Sequence, residues 1–72
     1  MNKIYISPPY IKLEQFLKFA ALTSSGGEAK KLIQNGQVAV DGEVCLQRGK
    51  KLTGGEIITL DNQKFEVAVN DS

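Results

Sequence analysis

The chain has 72 residues, with nine lysines and arginines against eight aspartates and glutamates, one cysteine and no histidine. At this length one core buries only roughly 60% of the unfolded chain's surface, so there is no room for a second, catalytic domain and one domain over residues 1–72 is expected. A lone Cys45 excludes an internal disulfide and, with histidine absent, argues against a protein-only metal site; a reducing, cytoplasmic setting without cofactor follows as the expectation.

From the N-terminus, Lys3 to Ile6 has the β-branched and aromatic content of a short strand. Pro8-Pro9 ends it, because proline donates nothing to a ladder, and with so short an apolar run neither a signal peptide nor a membrane span is expected. Leu13, Phe16, Leu17, Ala20 and Ala21 then recur at helical spacing and form one apolar stripe. Ser25 followed by Glu28 predicts a capping box opening a second helix, with Ala29, Leu32 and Ile33 inward and Lys30, Lys31 and Gln34 outward. Asn35-Gly36 closes it.

Val38 and Val40 alternate with small or polar neighbours, Asp41-Gly42 is a two-residue hairpin signal, and Val44 and Leu46 are expected to continue the alternation on the return strand. Gln47 to Gly55 is predicted as a polar loop. Ile57 to Leu60 and residues 63–69 are two more strands around an Asp61-Asn62 turn. The order implies an α+β fold, two short helices against a small antiparallel or mixed sheet.

The near-neutral total hides a division. Residues 12–51 carry seven cations against four carboxylates, whereas 52–72 carry one against four. Such a dipolar molecule presents a basic face to a polyanion; the alternative is ordinary solvated charge. Lys12 opens helix 1, where the dipole's positive end repels a cation by roughly 0.3–1 kcal/mol, so the choice favours a phosphate contact over a structural cap. Gly26 and Gly27 leave backbone N–H groups unshielded at the start of helix 2, a seat for an anion unless another segment packs closely against them. Lys30 and Lys31 extend that site. Arg48-Gly49-Lys50-Lys51 is the densest cationic cluster: arginine grips phosphate bidentately and lysine acts as a point charge. Phe16 and Phe65 fall on core faces, and Phe19, at the stripe's edge, is expected to pack there, with base stacking the alternative. Cys45 has no base nearby to activate it and is taken as a structural or surface thiol.

The string Lys12-Leu13-Glu14-x-x-Leu17, then Ser25-x-x-Glu28-Ala29-Lys30-x-Leu32-Ile33-x-x-Gly36-x-Val38-x-Val40-Asp41-Gly42, resembles the alpha-L RNA-binding motif, the S4 domain. Lys50-Lys51-Leu52, the Gly54-Gly55 pair and Glu56-Ile57-Ile58 are similar to that family's basic loop and following strand entry. Where many members carry arginines after the serine, this chain has Gly26-Gly27. The resemblance implies a bacterial, ribosome-associated RNA-binding protein with a motif core at 12–60 and flanking strands at 3–6 and 63–69. It implies one RNA-contacting surface of Lys12, Lys30 and the loop from Arg48 to Lys51, and no enzymatic activity. Ribosomal or transfer RNA is the expected ligand and a monomer the expected state; a protein-interaction module riding on a ribosome or processing enzyme is the alternative.

Overall fold

A computed structural model describes residues 2–69. The first strand, β1 (Asn2–Ile6), leads through Pro8-Pro9 to a two-residue strand, β2 (Ile11–Lys12), and directly into helix α1 (Leu13–Phe19). A second helix, α2 (Gly26–Gln34), is followed by β3 (Val38–Val40), β4 (Glu43–Val44), β5 (Lys51–Leu52), β6 (Ile57–Leu60) and β7 (Gln63–Val69). The main sheet runs β1-β7-β6-β3-β4, with β1 parallel to β7 and the other neighbours antiparallel, so the sheet is mixed. A second small sheet pairs β2 with β5.

Both helices lay their stripes on the same core as the main sheet: Phe16 and Leu17 from α1, Ala29 and Ile33 from α2, and Val38, Ile58 and Val67 from the strands are all buried. No helix among the described residues is long and apolar enough to cross a membrane. Asp41 and Gly42, with φ of 53° and 86°, make the expected tight turn between β3 and β4. Asp41 also holds that turn to the start of β6: its N–H donates to the Ile57 carbonyl at 2.8 Å and its carboxylate accepts from the Ile57 N–H at 2.9 Å.

Four expectations are corrected. Helix α1 stops at Phe19 rather than carrying its stripe through Ala21, which is exposed and has a φ of 59°. The Ala21 N–H donates to the Lys18 carbonyl and the Leu22 N–H to the Leu17 carbonyl, a Schellman closure with alanine in the place usually held by glycine. Leu22 packs against the core and holds the reversal in place. The Ser25 capping box is half formed: Ser25 Oγ accepts from the Glu28 N–H, but the Glu28 carboxylate accepts from the Ser24 hydroxyl.

Val44 and Leu46 do not continue the buried face of β3, being 62% and 59% exposed. A two-residue turn sets Val40 opposite Glu43 and Ala39 opposite Val44, so Val44 shares the outward face of Ala39. Cys45 comes opposite Val38, to whose carbonyl its N–H donates, and it packs against the core. Finally, the stretch from Gln47 to Gly55 contains β5, whose Leu52 is fully buried.

Glu56 orders the end of that stretch. Its carboxylate accepts from the Thr53 N–H at 2.9 Å, the Gly54 N–H at 2.8 Å and the Thr53 hydroxyl. A side chain at Gly54, where φ is 129°, would come within 2.7 Å of Val69 Cγ2. Partial burial pushes the Glu56 pKa up, but the Thr53 and Gly54 donors outweigh it and the net shift is downward. A lowered carboxyl pKa means stability that is complete above the ordinary glutamate range and lost as pH falls through and below it.

Two outcomes are expected. Ala21→Gly relieves a left-handed alanine and should stabilise the fold by up to about 1 kcal/mol, raising Tm by about 4 to 8 °C in thermal denaturation. Between about pH 5 and pH 3, the Tm of the wild type should fall more steeply than that of Glu56→Gln, which starts lower at neutral pH; parallel pH profiles would contradict the role given to this carboxylate.

Candidate functional site

Helix α1 has seven residues, too few to be stable alone, and its first N–H groups need acceptors from elsewhere. Lys12 stands at the cap position in extended conformation, and its side chain, a donor only, cannot cap. The acceptors come from the basic loop: the Leu13 N–H donates to the Lys50 carbonyl at 2.8 Å and the Glu14 N–H to the Arg48 carbonyl at 3.1 Å. The Gln15 side-chain carbonyl accepts from the Lys12 N–H at 3.2 Å. The positive end of α1 is thus covered by loop carbonyls, which softens the repulsion of Lys12 inferred from a bare helix dipole.

These bonds hold the loop's backbone at the start of α1, with Arg48 and Lys51 beside it. In the β2–β5 pair Lys12 lies directly opposite Lys51, a placement of like charges that disfavours the isolated molecule. The Lys51 ammonium lies over the Tyr10 ring, 4.9 Å from its centroid, a contact worth about 0.5–1 kcal/mol at an exposed site. Beyond this pair, a cleft between the two helices is lined by Glu14, Gln15, Lys18, Gly26, Gly27, Lys30 and Arg48. It gathers three cations from separate segments against one carboxylate, Glu14.

At the other wall of the cleft, Ser25 Oγ caps the Glu28 N–H and leaves the Gly26 and Gly27 amides at an exposed helix start. A Cβ built on Gly26 meets nothing within 4 Å, and one on Gly27 meets only Ser25 Oγ at 3.9 Å. Close packing is therefore not what these glycines serve.

The predicted residues divide. Lys12, Gly26, Gly27, Lys30, Arg48 and Lys51 come together along α1 and the cleft. Lys31 is exposed one position further round α2 and does not line the cleft. Lys50 lines a different hollow, with Asp41, Glu43 and Glu56. Lys18, Gln15 and Tyr10 were missed. Lys18 and Gln15 were legible on a helical wheel, opposite the Leu13–Phe16–Leu17 stripe; the Tyr10 contact depends on β2–β5 pairing and had no sequence signal. Phe19, expected at the core edge, is 61% exposed. Cys45 is a half-buried free thiol, and no group of metal-ligating side chains occurs among the described residues.

The chain is similar to several known proteins. The chain is 38% identical over 60 residues, 83% of its own length and 84% of the other's, to a Bacillus subtilis protein named "Probable ribosome maturation protein RlbA". YbcJ of Escherichia coli is 32% identical over 59 residues. Its solution structure, described as revealing an αL motif involved in RNA binding, superposes with a TM-score of 0.72 at 29% identity, covering 94% of this chain and 87% of YbcJ. A tyrosine–tRNA ligase from Nitratidesulfovibrio vulgaris is 43% identical over 51 residues, 69% of this chain but 13% of the ligase. The S4 domain model matches residues 4–68, nearly the whole chain, and the protein belongs to the S4 domain family.

Proposed function

We propose that the protein is a cytoplasmic, non-enzymatic RNA-binding module, acting as one domain, that holds structured ribosomal or transfer RNA. Residues 12–60 form the contacting core, and the strands at 3–6 and 63–69 are its support. Phosphates lie along the row formed by Lys12, Lys51, Arg48, Lys18 and Lys30, with the Gly26 and Gly27 amides at one wall and Lys31 and Lys50 as outlying charges.

The observation that carries this reading is the juxtaposition of Lys12 and Lys51, held face to face by strand pairing beside a cleft that already holds Lys18, Lys30 and Arg48. A polyanion relieves the repulsion that the fold builds in. Support for the ligand comes from the ribosome maturation role in the name of one relative and the RNA-binding motif described for another. A second reading, a protein-interaction module, draws on exposed Val44 and Leu46. It requires that Arg48, Lys50 and Lys51 changed together to glutamate leave partner capture intact.

With about five phosphate contacts, affinity for ribosomal RNA or bulk tRNA should fall by about a hundredfold or more between 50 and 200 mM salt. Lys12→Gln with Lys51→Gln should flatten the slope of log affinity against log salt by about 1.4 to 1.8 while Tm holds or rises. A complex insensitive to salt would remove the mechanism. Gly27→Ala separates fold from function differently: helix stability should increase by up to about 1 kcal/mol, and RNA affinity should drop because the added methyl obstructs phosphate approach to the amides.

A further inference from the structure

Three aromatic side chains are substantially exposed, and their surroundings differ. Tyr5 alternates with Ile4 and Ile6, which turn to the core, so it faces away from the helices. The Tyr10 ring is taken by the Lys51 ammonium. Phe19 is 61% exposed in the last turn of α1. Lys12, Gln15 and Phe19 follow one another at i, i+3 and i+7 and form a row along one side of the helix. Gln15 lines the cleft, as does Lys18, and Phe19 stands one turn beyond Gln15, about 6 Å further along the axis. A large apolar ring therefore stands one helical turn past Gln15 and next in sequence to Lys18, outside the cleft lining and at the end of α1 opposite the Lys12–Lys51 pair.

We propose that Phe19 is a stacking platform for an unpaired base, so that the RNA held in the cleft presents a bulged or single-stranded nucleotide at the C-terminal end of α1. This rests on the RNA-binding reading above and adds to it the kind of RNA bound. The charge beside the ring selects the occupant. A nucleotide brings a phosphate for Lys18 and Lys30 together with a flat apolar face for Phe19, whereas a continuous duplex hides its base faces in the stack. An aliphatic side chain at this position would satisfy the helix as well; an aromatic ring adds a face for stacking.

The test uses the full chain and two hairpin RNA probes at one salt concentration, one carrying a bulge that contains a fluorescent adenine analogue and one fully paired. The wild type should bind the bulged probe more tightly and change its fluorescence. Phe19→Leu should lose about tenfold or more on the bulged probe, with its fluorescence change, and nothing on the paired one. Phe19→Trp should retain both, and an unchanged Tm for each variant confirms the fold. Phe19→Leu binding the bulged probe as the wild type does overturns the stacking role alone, since the salt response of the wild type still reports phosphate capture. Failure of the wild type to bind either probe overturns the RNA-binding reading and the stacking role with it.

Discussion

The bonding of the basic loop's carbonyls to the first amides of α1 governs the whole surface. Seven residues do not make a stable helix in water, so α1 exists through its buried stripe and through the acceptors supplied by Lys50 and Arg48. The same two bonds fix the loop. Holding the backbone of Arg48 and Lys50 against α1 places the Arg48 side chain at the cleft and Lys51 opposite Lys12, while the Lys50 side chain turns to the other hollow. A structural requirement of a short helix thus becomes the device that collects cations distant in sequence.

The rest of the fold supplies rigidity to that junction. Leu13 and Leu52, next to the facing lysines, are fully buried and anchor the β2–β5 pair in the core. Downstream, Glu56 gathers the amides of Thr53 and Gly54, and Asp41 ties the β3–β4 turn to β6. Neither carboxylate lines the cationic cleft. One carboxylate from each half of the chain, Asp41 and Glu56, is therefore engaged in closing loops away from the cleft, which helps a chain of nearly balanced charge present a basic face.

The polar division also separates two residues that sequence alone treats as equals. Arg48 and Lys50 lie two positions apart, yet Arg48 lines the cleft and Lys50 faces carboxylates across the other hollow. A similar limit applies to Phe19: apolar spacing put it at the edge of a stripe, but the Schellman reversal at Ala21 ends α1 before anything comes to cover it. The outward face of Val44, in contrast, was readable. A two-residue turn makes Val40 and Glu43 partners, and that parity sends Cys45 inward and Val44 outward.

By itself the sequence determined the presence of the two helices, the hairpin turn, the order of the longer strands and the uneven distribution of charge, because periodicity, glycine at left-handed positions and a capping serine act within a few residues. Only the tertiary structure decided the β2–β5 pair, the Lys12–Lys51 juxtaposition, the Tyr10 contact and the membership of Lys18 in the cleft. The first three join residues some forty positions apart through a strand pair of two residues, which leaves no period to read, and Lys18 meets Lys30 and Arg48 only once the helices and the loop have packed. What settles them is the demand of buried backbone and of helix ends for hydrogen-bond partners, which can be met only once the chain has closed on itself.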